Sequence, residues 1–258
     1  MDAPMLAADA IAFEYENHES TSVCFDDVSV HVSPGEIVGL VGRSGAGKST
    51  LARIMAGLLS PREGKVACDG TEVSQPDSPV AYVAQDYRRA ILPWLTVERN
   101  IELGRHMTPR MLDATSGVQT IAAELGISDE LLGKHPPRLS GGQIQRVQIG
   151  RALFAAPRYM IFDEPTTSLD LEFRQSFQKI LLRIVRQRNI GVLLVTHEVD
   201  DAVLLSRRLY LMKKSAAGAA SIREEQGYGV ENEARVTAMC TRRFGEIRQC
   251  VHHALFDF

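Results

Sequence analysis

The chain has 258 residues, enough to bury a large core without disulfides or a structural metal. Its 29 Lys and Arg stand against 32 Asp and Glu, a formal net charge of −3, so the basic excess of a nucleic-acid-coating protein is missing and no nucleic-acid partner is expected. Cys24, Cys68, Cys240 and Cys250 form no C-x-x-C pair and are expected as free thiols, no apolar run reaches the roughly 18 residues of a membrane-spanning helix, and residues 1–10 lack the basic start of a secretory signal.

In chain order, the apolar run 37–41 reads as a buried strand and leads straight into Gly42-Arg43-Ser44-Gly45-Ala46-Gly47-Lys48-Ser49-Thr50. Leu51, Ile54, Met55 and Leu58 then recur at helical spacing. Strand, glycine-rich loop and helix in that order give the G-x-x-x-x-G-K-S pattern its meaning. The glycines let successive backbone N–H groups converge on one anion, and the helix start adds partial positive charge. Lys48 is placed to reach the β- and γ-phosphates of a nucleotide, and the Ser49 hydroxyl to hold Mg²⁺.

A second strand, 80–83, is followed by Gln85. Residues 86 to about 139 show no convincing strand and several helical segments, among them Val118, Ile121, Ala122 and Leu125 with Gly126 as a stop, so a helical insertion in an α/β core is expected. Leu139-Ser140-Gly141-Gly142-Gln143 follows, with Ser140 also suited to cap a helix. Strand 159–162 ends in Asp163 and Glu164. Asp163 is expected to reach Mg²⁺, and Glu164, turned elsewhere by the alternation of a strand, to polarise an attacking water. The run 192–195 is a further strand, with His197 just beyond it. Residues 213–229, rich in Ala, Gly, Ser and charge, are predicted as a loop. Val236, Cys240, Phe244, Ile247, Val251 and Leu255 predict an amphipathic C-terminal helix packed on its own domain.

Leu139 to Gln143 would arise by chance in on the order of a few in ten thousand chains of this length. At these residues the sequence resembles the ABC ATPase family, in which L-S-G-G-Q is the signature, and the resemblance runs from about residue 12 to 212. It implies an α/β fold, a P-loop NTPase core of the ABC ATPase type (1–85 and 159–212) with an inserted helical subdomain (about 86–158) carrying the signature, followed by a C-terminal loop and helix (213–258). The resemblance implies ATP and Mg²⁺ as ligands. It makes Tyr15 the aromatic that stacks on adenine, Gln85 the lid residue facing Mg²⁺, Asp170 part of the loop crossing between subunits, and His197 the contact to the γ-phosphate. It further implies a head-to-tail dimer in which Ser140, Gly141, Gly142 and Gln143 of one subunit close on the ATP held by the other. Arg43 stands where many relatives have Pro, and Gly150 where Ala is commoner.

The stretches 85–101 and 196–206 look like importers of the nitrate, sulfonate and taurine group, although Lys213-Lys214-Ser215 replaces the Pro-Arg-Pro usual there after the last strand. The resemblance therefore implies an energy-coupling subunit peripheral to the cytoplasmic face of the inner (plasma) membrane. Its partners would be a second ATPase subunit, integral permease subunits and a substrate-binding protein. Relatives that move peptides or metal chelates, and ABC ATPases outside transport, are the alternatives. The span from Lys48 to Leu139 is too short for the coiled coil of DNA-repair types.

Overall fold

The computed structural model describes residues 4–17, 20–73, 79–107, 117–167, 171–214, 219–229, 239 and 241–256. Two antiparallel strands come first, β1 (Leu6–Asn17) and β2 (Ser20–Val32). β3 (Ile37–Gly42), buried at every residue, passes through the glycine-rich loop into α1 (Lys48–Met55). β4 (Glu63–Cys68) and β5 (Thr71–Glu72) pair antiparallel beside β1, and β6 (Val80–Val83) forms the opposite edge of the sheet.

Among the described residues between β6 and the next strand every regular element is helical, as the sequence predicts. They form α2 (Tyr87–Ala90), α3 (Val97–Glu102), α4 (Gly104–Met107), α5 (Val118–Glu124), α6 (Asp129–Leu132), a 3₁₀ turn at Pro136–Arg138, and α7 (Gly141–Phe154). β7 (Tyr159–Asp163), α8 (Leu171–Arg188), β8 (Gly191–Thr196), α9 (Val199–Leu205), β9 (Arg208–Lys214), β10 (Ala220–Gln226) and α10 (Arg242–Phe256) complete the chain.

The strands form one ten-stranded sheet in the order β5-β4-β1-β2-β10-β9-β3-β8-β7-β6. β9, β3, β8, β7 and β6 are mutually parallel. Their central members are continuous apolar runs because the sheet is covered on both faces. One face packs on α1, where Leu51, Ile54 and Met55 meet Leu40, Ile161 and Val195. The other carries a core shared by α3, α5, α7 and α8, including Ile101, Ile121, Val147 and Leu181.

Asn100, fully buried, spends its amide on the carbonyls of Leu92, Leu95 and Thr96, while Arg151 of α7 donates to Asn100 Oδ1 at 2.6 Å. That pair ties the loop before α3 to α7. Gly150 faces the same seam: a Cβ there would lie 3.1 Å from Leu125 and 3.2 Å from Ile101. An alanine methyl would press on both side chains, a packing reason for a glycine that costs roughly 1 kcal/mol inside a helix.

The structure departs from two expectations here. α1 stops at Met55 rather than continuing to Leu58, because Gly57 turns the chain with φ 74° and leaves Leu58 exposed. The stretch 213–229 is not simply a loop: β9 runs to Lys214 and β10 pairs with it antiparallel along its length. Its charges fit a strand because Arg223, Glu224 and Gln226 are not buried. In the predicted C-terminal helix, Val236 and Cys240 lie outside the described residues. Phe244, Val251 and Leu255 of α10 are buried against α9 and β9, as the stripe predicts. Cys24, Cys68 and Cys250 are free thiols. Among the described residues no helix is long and apolar enough to cross a membrane.

Candidate active site

Register across the parallel strands sets the site. Val41 lies opposite Thr196, Asp163 opposite Val195 and Val83 opposite Phe162, so β3, β8, β7 and β6 finish at one level. Open α/β sheets bind ligands beyond such an edge. The glycine-rich loop, His197, Glu164 and Gln85 each follow one of these strand ends.

In the loop, Gly47 has φ 102°, and a Cβ there would sit 2.8 Å from Cys24 Sγ, so both conformation and space require glycine. α1 begins with neither a side-chain cap nor an acidic residue in its first turn. Its first N–H groups and its positive dipole end are therefore available to an anion. The Lys48 ammonium, 6% exposed, donates to Gly42 O at 2.9 Å and Arg43 O at 3.2 Å and stands 3.6 Å from Glu164 Oε1. Burial pushes it below the usual lysine range, and the Glu164 and Asp163 carboxylates pull it partly back.

Asp163 is gripped from two sides. Ser49 Oγ donates to Oδ1 at 2.9 Å and the Tyr82 hydroxyl to Oδ2 at 2.6 Å. The Arg53 side chain on α1 lies close enough to the Tyr82 hydroxyl for the phenol to push the guanidinium up. Burial, followed by the bond to Asp163, pushes the Tyr82 hydroxyl well up, so it stays a proton donor. Neither Tyr82 nor Arg53 is singled out by the sequence patterns. The available signal was a tyrosine in a buried strand, whose hydroxyl must find a partner.

Glu164 turns away from Asp163 by a route other than strand alternation. β7 has already ended, and Glu164 adopts a left-handed backbone with φ 50°, held by its N–H bond to Val195 O at 2.9 Å. Its Oε2 meets His197 Nδ1 at 2.7 Å and accepts from Thr167 Oγ1 at 3.1 Å. Behind His197, the buried Asp201 accepts from Gln178 at 2.7 Å and from Arg174 at 2.5 Å, which also pairs with Glu198 at 2.7 Å. This cluster fixes α9 and the His197 turn against α8.

Tyr15, 44% exposed, binds Thr50 Oγ1 through its hydroxyl at 2.6 Å and stands edge-on to Phe13 at 5.0 Å. It borders a cavity of about 310 Å³ with Gly45, Gly47, Lys48, Ser49 and Thr50, to which β2 adds Cys24 and β9 adds Lys214. The last two were not expected from the sequence. On the other side of the loop, a cavity of about 280 Å³ is lined by Arg43, Ser44, Gly45, Ala46, Lys213 and Leu255 of α10. Gln85 is exposed just past β6, and Ala84 O beside it accepts from Gln148 of α7 at 3.2 Å. Asp170 lies outside the described residues.

The signature belongs to the helical part. Ser140 caps α7: its Oγ accepts from Gln143 N at 3.3 Å, and Gln143 Oε1 accepts from Ser140 N at 2.9 Å. Gly141 is partly exposed and Gly142 buried; a Cβ on Gly142 would come within 2.0 Å of the Phe173 ring. From the same helix the buried Gln145 donates to Pro165 O, next to Glu164.

A hard cation fits this donor set. Ser49 Oγ gives its proton to Asp163 and keeps lone pairs for a metal, and the oxygen ligands suit Mg²⁺. Among the described residues no group of three or more His, Cys, Asp or Glu could hold a metal alone. That is consistent with an ion that takes most of its ligands from water and phosphate.

Comparison with known proteins identifies the family. A family model described as ABC transporter matches residues 25–167. The aliphatic sulfonates import ATP-binding protein SsuB 1 of Xanthomonas axonopodis pv. citri is 40% identical over 72% of this chain and 73% of its own length. The nitrate transport protein NasD of Klebsiella oxytoca is 31% identical over 98% and 97%. Among solved structures, the dimeric structure of the bacterial ABC transporter cassette MJ0796 superposes with a TM-score of 0.72 at 27% identity, covering 86% of this chain and 98% of that one. A post-hydrolysis dimer of that cassette bound to ADP and Pi gives 0.71 at 26%, with the same coverage. The chain belongs to the ABC transporter family, as an ATP-binding and ATP-hydrolysing subunit.

Proposed function

We propose that this chain is the energy-coupling subunit of an importer of a small anion such as nitrate, a sulfonate or taurine, working on the cytoplasmic face of the inner (plasma) membrane as one half of a head-to-tail dimer. Relatives named for sulfonate import, nitrate import and nitrate transport support the cargo class. Membrane attachment falls to permease subunits, with a substrate-binding protein delivering the anion.

The observation that carries the catalytic reading is the Glu164 carboxylate, 3.6 Å from Lys48 Nζ and 2.7 Å from His197 Nδ1. With ATP in the cradle, the loop N–H groups and Lys48 hold the β- and γ-phosphates, and Tyr15 stacks on adenine. Ser49, Asp163 and Gln85 are the residues that would hold magnesium, which when bound neutralises charge on the phosphate oxygens. Glu164 takes a proton from a water whose oxygen attacks the γ-phosphorus. The bond to the β–γ bridging oxygen breaks, giving ADP and phosphate. His197, steered by Glu164 and the Asp201 cluster, contacts the γ-phosphoryl oxygens. The start of α7, with Ser140 and the N–H groups of Gly141 and Gly142, closes the site from the second subunit. The loop containing Asp170 crosses between the subunits.

Co-purification of the tagged chain from its native membranes tests the transport assignment. A polytopic membrane protein in the eluate is expected, together with loss of uptake of one small anion when the gene is deleted. An eluate holding only soluble proteins or ribosomes overturns it.

A further inference from the structure

We propose that Tyr82 is a positioning residue for the metal: by clamping Asp163 Oδ2 while Ser49 holds Oδ1, it fixes the carboxylate in the orientation that accepts Mg²⁺ with nucleotide. The inference rests on the reading of Ser49 and Asp163 as the magnesium site and adds a residue to it.

A carboxylate at a strand end can rotate about its Cβ–Cγ bond, and each orientation presents different lone pairs to an ion. Asp163 is denied that freedom. Its two oxygens are bonded to different elements, Ser49 on α1 at 2.9 Å and Tyr82 on β6 at 2.6 Å. β6 pairs with β7 with Tyr82 opposite Ile161, two residues before Asp163, so the sheet itself brings the phenol alongside the carboxylate. Ser49 sits in the first turn of α1, the helix that opens at Lys48. α1, β6 and β7 are thus tied through one carboxylate. Ser49 can turn toward a cation while the Tyr82 hydroxyl, bonded to the other oxygen, keeps the carboxylate plane fixed. Residues that hydrogen-bond a metal ligand without touching the metal commonly set affinity by orienting it.

The test compares ADP affinity of the purified full chain in Mg²⁺ and in EDTA, by calorimetry, for the unaltered protein and for Tyr82→Phe, which removes a single oxygen and keeps the ring. Mn²⁺ with ADP, followed by electron paramagnetic resonance, reads the metal directly. The expected result is unchanged affinity in EDTA, a loss of about tenfold in the gain that Mg²⁺ provides, and a matching loss for Mn²⁺. An undiminished Mg²⁺ gain, or an equal loss with and without metal, overturns the proposal; the second outcome means the phenol only supports the fold. Asp163→Asn separates this from failure of the underlying reading. If Asp163→Asn abolishes the Mg²⁺ gain and Tyr82→Phe leaves it intact, the magnesium site stands and Tyr82 has no part in it. If neither changes it, the magnesium site and the proposal fall together.

Discussion

At the cradle the polar groups are buried and interlocked across four strands, whereas at the signature they are exposed and satisfied within one helix turn. Lys48, Asp163 and Glu164 are all buried, and each is held by a group from another element. Ser140, by contrast, is exposed and exchanges its hydrogen bonds with Gln143 three residues on. The difference teaches where each region's work is done. A buried, cross-braced constellation can hold nucleotide within one chain. A self-capped helix start on the surface needs nothing more from its own chain and is ready to receive an anion from another. Gln145 and Gln148, bonded to Pro165 O and Ala84 O, join the two regions through the body of α7.

Substitutions can break that contrast. Glu164→Gln should have the largest effect, lowering turnover by about 100-fold or more while ATP affinity stays within about twofold. It should also trap an ATP-dependent dimer visible by light scattering, and full residual turnover would remove Glu164 as the base. Lys48→Met should follow, since a buried charged hydrogen bond is worth about 1.5–3 kcal/mol; ATP affinity of the single chain should fall by about 10- to 100-fold in calorimetry. At the signature, Gly142→Ala must displace the Phe173 ring. It should cut turnover sharply and leave single-chain ATP affinity unchanged; an equal loss of affinity would show that the two regions are not separate. Tyr15→Ala should weaken nucleotide binding about fivefold, the equivalent of ~1 kcal/mol of stacking.

The parts legible in the sequence were those where burial forces a simple pattern. β3, β6, β7 and β8 are short apolar runs inside a covered sheet, and the motifs sit at their ends. β1 was not picked out because its register shifts three times between Ala8 and Glu14, which erases the two-residue alternation. β10 was hidden by charge: it lies inside the sheet yet meets β2 only at Ala220 opposite Phe25, and most of its side chains stay accessible. At the site, Lys48, Ser49, Asp163 and Glu164 were readable from local motifs, and His197 only through the family resemblance. Tyr82, Arg53 and Lys214 were not, since their places depend on which strands become neighbours, and that is a tertiary fact. The redirection of Glu164 shows a different limit: strand alternation was the available rule, but a left-handed residue after the strand's end does the turning.

The contrast between the two regions comes down to one claim, that a working site takes its cradle from one subunit and its signature from the other. Mixing a Lys48→Met chain with a Ser140→Arg chain tests it most directly. Each alone should be inactive, one for want of a cradle and the other for want of a signature. In a mixed head-to-tail dimer, the intact cradle of the second faces the intact signature of the first, so the mixture should recover ATP turnover. A mixture as inactive as its components, although the two chains associate, would contradict the account.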